Sequence, residues 1–270
     1  VNEHDKYILF IGDSFAAHGL KACNVGPTVS NTFLYYTPKE GEVYYPWTDQ
    51  VATHFSDHGI INVARAGQSW VYYQQEMNQF FLDNPEHLDK IDIVVACHTG
   101  PDRLPSNRPT LYKEDQVYPG QSVSTKELIL AQKYYETYIK SDSFHEWTTI
   151  KWFEDFSEMF KNKKVINFHN FETTMHLNKY LTHSMNFINI SLVSLSASEF
   201  TGTESSIIKQ MNNDSRTGHF CKDNHKAMAD QVISAIENYK EGNTDIDRSK
   251  WYQPNPMGIN WTSGKNFGSI

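Results

Sequence analysis

The stretch IDIVVACHT, Ile91 to Thr99, is an apolar run rich in β-branched residues and interrupted near its start by Asp92. A strand covered on one face alternates apolar and polar residues. A run without alternation reads as a strand covered on both faces, as in a parallel sheet. Four further stretches read the same way: 6–11, 59–65 (GIINVAR), 163–171 (KKVINFHNF) and 187–195 (FINISLVSL). Helical spacing falls between them, over 47–58, 70–82, 125–139, 145–161 and 223–239. In the last of these, Met228, Ala229, Val232, Ala235, Ile236 and Tyr239 form one apolar stripe. Strands alternating with helices predict an α/β fold: a three-layer α/β/α sandwich around a mostly parallel five-stranded sheet.

Two segments break the alternation. Residues 100–123 hold four of the ten prolines and read as a long surface loop beside the third strand. Residues 241–270 contain WYQPNPMGINWTSGKNFGSI and read as an ordered aromatic tail, packed on the domain or serving as a contact arm for a partner subunit. The organisation expected is one domain over 1–240 followed by this tail over 241–270.

Composition narrows the function. The chain has 270 residues, 39% hydrophobic and 14% aromatic, enough for one large core. Its net charge of -8 argues against non-specific nucleic-acid binding, which needs a cationic face. No run approaches the length of a transmembrane helix, so no membrane partner is expected. The opening VNEHDKYILF lacks a signal-peptide pattern, which leaves cytoplasmic and virion-associated locations both open. Cys23, Cys97 and Cys221 are far apart, with no CxxC pair. His98 and His169 end two strands, but no H-x-H or H-E-x-x-H spacing supports a metal site. No metal and no cofactor are expected.

In a parallel sheet, ligands collect beyond the carboxyl ends of the strands. Ser14 follows the first strand in GDSF, Gly67 follows the second in NVARAGQSW, and Thr99 ends the third. His219 precedes the last helix in DSRTGHF. GDSF (12–15), NVARAG (62–67) and DSRTGHF (214–220), spread over residues 6–240, resemble three sequence blocks of the SGNH or GDSL hydrolases. The resemblance implies a flavodoxin-like fold and a serine esterase acting through an acyl-enzyme. Ser14 would be the nucleophile and His219 the base, with an oxyanion hole from the N–H groups of Ser14 and Gly67. A short-acyl ester, such as an O-acetyl group on a carbohydrate, leads among its substrates.

The chain departs from the family pattern twice. The third block usually supplies an Asn, whereas HTGPDR (98–103) has none, so the further oxyanion donor is Thr99, Arg103, a water or absent. The last block usually has Asp three residues before the histidine. Here that position is Arg216, and the nearest upstream acid is Asp214. Asp214 orienting His219 and a bare Ser–His dyad both stay open, with Arg216 turned toward substrate. Arg103 and Trp70 complete the candidate substrate contacts.

Each residue also has a structural reading. Ser14 can cap a helix, Gly67 can serve a tight turn, and the rings of Trp70, Tyr72 and Tyr73 can be core. His225 lies on the apolar stripe and reads as a packed histidine. Two other functions remain open on the same fold: an O-acyltransferase, and a glycan-binding or virion-surface module with weakened catalysis.

Overall fold

The structure, a computed structural model, describes residues 4–13, 16, 46–64, 70–99, 130, 133–134, 137, 142–170, 179–180, 185–192, 222–246 and 248–251. Its strands are β1 (Tyr7–Gly12), β2 (Gly59–Asn62), β3 (Ile91–His98), β4 (Lys164–His169), β5 (Asn186–Ser191) and β6 (Gly242–Thr244). They form one sheet in the order β2-β1-β3-β4-β5-β6, and every neighbouring pair is parallel. Its first five strands follow the flavodoxin-like order. The order reverses at β1, so the exits of β1 and β3 flank the topological switch point.

The helices are α1 (Trp47–His54), α2 (Trp70–Asp83), α3 (Pro85–Lys90), α4 (Asp142–Met159) and α5 (Lys222–Glu237). Side chains of a strand alternate between faces, so each strand feeds two separate cores. Ile8, Phe10, Ile60, Val95, Ile166 and Ile188 pack with Trp47 and Val51 of α1 and Met228, Val232 and Ile236 of α5. Leu9, Ile11, Ile61, Val94, Ala96 and Val165 pack with Tyr73, Met77 and Phe80 of α2, Trp152 and Phe156 of α4, and Phe160 just beyond it. Burial on both faces is why the strands read as unbroken apolar runs. Met228, Ala229, Val232, Ala235 and Ile236 of the α5 stripe are buried as their spacing implies, whereas the helix ends at Glu237 and Tyr239 beyond it is half-buried.

Several boundaries differ from the sequence reading. The sheet has six strands, not five. The sixth is GNT, which carries no apolar pattern because it sits exposed or half-exposed at the sheet edge. Backbone pairing to β5 holds it, helped by Asn186, whose Nδ2 donates to Lys240 O and Thr244 Oγ1, each at 2.7 Å. The strand therefore falls beyond residue 240, and Trp251 farther along is buried in the α1/α5 core. The short helix α3 was also missed, although NPE carries a helix-start signal with Pro at the first turn. Helix α1 stops at His54 rather than residue 58, where Phe55 N–H bonds back to Val51 O. The strand expected over 59–65 ends at Asn62. The expected loop over 100–123 and residues 252–270 of the tail lie outside the described residues.

The start of β2 is fitted to β1 so closely that a methyl group at Gly59 would overlap the Tyr7 ring, with Cδ1 at 2.5 Å and Cζ at 3.0 Å. Tyr7 is 1% exposed and has nowhere to retreat. Gly59→Ala is therefore expected to cost about 1–3 kcal/mol by overpacking. Urea denaturation of the two proteins checks this; an unchanged midpoint would mean the ring moves freely.

Candidate functional site

The exits of β1, β2 and β3 are joined by side-chain bonds at the switch point. At Gly12 the backbone turns with φ +155°, and an added Cβ would lie 2.8 Å from Cys97 Cβ and 3.0 Å from Cys97 O. Only glycine accepts both that conformation and that approach. The next residue, Asp13, is fully buried, and its Oδ2 accepts the Thr99 hydroxyl at 3.2 Å. Ala16 N–H donates to Asp13 O at 3.1 Å, closing the chain on either side of residues 14 and 15. Asn62, at the exit of β2, holds this turn from the other side. Its Nδ2 donates to Ala16 O at 3.0 Å, and its Oδ1 accepts Ala64 N–H at 2.9 Å.

These bonds define the structural roles of Asp13 and Asn62. Asp13 ties β1 to β3, and Asn62 ties the β2 exit to the turn after β1. The candidates Ser14, Gly67, Arg103, Asp214, Arg216 and His219 lie outside the described residues. Thr99 is described, buried and bonded to Asp13. Its one hydroxyl proton is engaged there, so giving that proton to an oxyanion requires the hydroxyl to turn away from Asp13. Trp70, half-buried at the start of α2, stacks on Trp152 of α4 with centroids 6.0 Å apart and planes at 24°. Trp152 in turn meets Phe156 at 5.4 Å, so Trp70 belongs to an aromatic layer continuous with the core.

Cys97, His98 and His225 are buried. Burial pushes the Cys97 thiol well up, and the Asp13 charge adds to the shift, so a thiolate is disfavoured. His225, 1% exposed, accepts the Trp47 N–H through Nδ1 at 3.3 Å. Trp47 opens α1 behind Pro46, which has no side chain able to cap it. A histidine from α5 thus satisfies one orphan donor of α1. His98 sits against Phe153 at 4.8 Å and Phe156 at 5.3 Å, with its Nε2 2.9 Å from Asn167 Oδ1. The Asn167 Nδ2 donates to Asn186 O at 3.1 Å, so its oxygen faces His98 and the imidazole proton is assigned to Nε2.

A residue that the sequence reading passed over lies one strand further along. Asn170 follows β4, and its N–H donates to His98 O at 2.8 Å. It is fully buried, yet neither Nδ2 nor Oδ1 of its carboxamide has a hydrogen-bond partner within the protein. Leaving such a group unsatisfied costs about 1–3 kcal/mol. In the sequence it is one asparagine among many, and only its burial distinguishes it. Among the described residues, no three His, Cys, Asp or Glu side chains converge as a metal-binding group. No described helix is long and apolar enough to cross a membrane.

Against known proteins, the chain matches no family model and no curated sequence. Among solved structures it is similar to a carbohydrate esterase whose active site is described as displaying divergent catalytic and non-catalytic binding functions. The two share 11% identity at a TM-score of 0.39, over 89% of this chain and 67% of that one. The fold assignment rests on the strand order itself.

His98 makes stability depend on pH. Burial first, and the neighbouring His169 second, push its pKa from the ordinary 6.5 to about 3, against the bond from Asn167. Above 6.5 it is neutral folded and unfolded alike. As the pH falls from 6.5 toward 3, only the unfolded chain gains the proton, so stability is lost at up to about 1.4 kcal/mol per pH unit. His98→Gln is expected to flatten the fall between pH 6.5 and 4.5 by that amount, read from urea midpoints across the range. Parallel curves for the two proteins would contradict a buried neutral His98.

Proposed function

We propose that the chain is a serine esterase of SGNH type acting on short-acyl esters, with an O-acetylated carbohydrate as the leading substrate class. The observation that carries this reading is the bracing of the turn after β1. Asp13 and Ala16, which flank residues 14 and 15, are bonded to Thr99 and Asn62 at the exits of β3 and β2. A nucleophile must be held within a fraction of an ångström of its productive position, and such bracing supplies the rigidity.

In this mechanism Ser14 Oγ attacks the acyl carbonyl while His219 takes its proton. The N–H groups of Ser14 and Gly67 bind the oxyanion of the tetrahedral intermediate. Collapse expels the alcohol, which receives the proton from His219 and leaves an acyl-enzyme on Ser14. Water then attacks that ester by the same route and frees the acid. Asp214 orients the imidazole from its far nitrogen, and Arg216, Arg103 and Trp70 contact the substrate. Losing one oxyanion donor costs on the order of 3 kcal/mol in barrier height. The absent third-block Asn and the engagement of the Thr99 hydroxyl by Asp13 therefore favour one rival: a glycan-binding module with weakened catalysis.

A fluorophosphonate separates the two readings, because it needs an activated serine and no knowledge of the substrate. The wild-type protein is expected to be labelled at Ser14, and Ser14→Ala to lose both labelling and hydrolysis of 4-nitrophenyl acetate while keeping its melting temperature. A wild-type protein that resists labelling would favour the binding module.

The two histidines near the last helix are expected to separate cleanly. His219→Asn should cut turnover by several orders of magnitude with little change in melting temperature. His225→Asn disturbs the acceptor of the α1 N–H and should cost about 1–2 kcal/mol of stability with turnover largely kept. Loss of turnover in a fully folded His225→Asn protein would move the base to His225.

A further inference from the structure

Asn170 stands at the carboxyl edge of the sheet, where the chain leaves β4. The pairing of β3 with β4 sets His98 opposite His169, so Thr99 and Asn170 are the next residues out on adjacent strands. Asn170 N–H is bonded to His98 O, and Thr99 is bonded to Asp13 at the switch point. Among the described residues, Asn170 is the one side chain whose donor and acceptor atoms are both buried without a partner. Other asparagines close by do not share this state. Asn167 is bonded to His98 and Asn186, and Asn62 to Ala16 and Ala64. Asn186, also buried, has its Nδ2 bonded and its Oδ1 alone without a partner, so among these amides Asn170 is the one left open at both ends, beside the edge where a parallel sheet collects its ligands.

We infer that Asn170 is a specificity residue that binds a neutral polar group of the ligand, such as a pair of vicinal hydroxyls on a sugar ring or an acylamino group. A carboxamide offers N–H donors and a carbonyl acceptor together. A carboxylate or phosphate would satisfy only the donors, and an ammonium only the acceptor. A hydroxyl pair or an amide satisfies both. This assignment deepens the esterase reading and rests on it for the choice of substrate, but the unpartnered carboxamide does not depend on that reading.

The test pairs a hydroxyl-rich ester with a plain one, using a mono-O-acetylated methyl xyloside and 4-nitrophenyl acetate on wild type, Asn170→Ala and Asn170→Leu. Both variants are expected to lower kcat/KM for the sugar ester about tenfold or more, mainly through KM, and to change kcat/KM for the aryl ester less than twofold. Asn170→Leu is also expected to hold or raise the melting temperature, because it removes an unsatisfied buried amide. A ratio of the two kcat/KM values that stays within twofold of wild type overturns the inference and leaves the esterase reading intact. So does a fall in melting temperature with the ratio unchanged, which would make Asn170 structural. If wild type hydrolyses neither ester and resists the fluorophosphonate, the esterase reading fails and the methyl xyloside itself becomes the probe. A thermal shift in wild type that is lost in Asn170→Ala then supports the assignment, and its absence in wild type or its survival in the variant overturns it.

Discussion

The close approach of β1 to β3 at Gly12 is the constraint on which the rest of the site depends. A side chain there would press into both the Cβ and the carbonyl of Cys97. Because none is present, the two strands run together to their ends, and Asp13 and Thr99 meet one residue further on. That bond lies at the reversal of strand order, the position where open parallel sheets collect their ligands. The glycine, the aspartate and the threonine thus form one device at the end of β1. Asn62 completes the frame by reaching across from β2.

Behind this edge the sheet carries a line of polar groups inside the α2/α4 core. His98, Asn167 and the Asn186 backbone carbonyl form a chain of hydrogen bonds across β3, β4 and β5. Each member is buried, so each bond replaces water that the group would otherwise have kept. Such a chain is worth little net stability when complete and is costly when broken. It fixes register between strands whose apolar residues alone would tolerate a slip. Phe153 and Phe156 exclude solvent from it, and that exclusion is what holds His98 neutral. On the opposite face the corresponding polar contact is His225 with the start of α1, which anchors one helix to another rather than strand to strand.

The resemblance blocks were legible in physical terms only in part. In GDSF, the glycine is required by packing and the aspartate by the bond to Thr99, two reasons that concern the frame rather than the chemistry. In NVARAG, the asparagine serves that same frame. Asn170 shows the opposite case, a position with nothing in its local sequence to mark it and a distinctive environment in the fold.

What the amino-acid sequence determined by itself is the alternation of five strands with helices and the burial of those strands on both faces. Unbroken runs such as Ile93 to Cys97 can be stable only when covered on both faces, and the stripe on α5 can be buried only as a helix. These are properties of neighbouring residues, and they survive without knowledge of what packs where. The tertiary structure alone decided the sixth strand, which rests on backbone pairing that any three residues can make. It alone decided which polar groups meet: Thr99 with Asp13 across 86 residues, His98 with Asn167 across 69, and Trp47 with His225 across 178. Hydrogen bonds over such separations impose no period on the chain and choose no particular residue type beyond a donor and an acceptor. They come into being only when the sheet order has brought distant strand ends side by side.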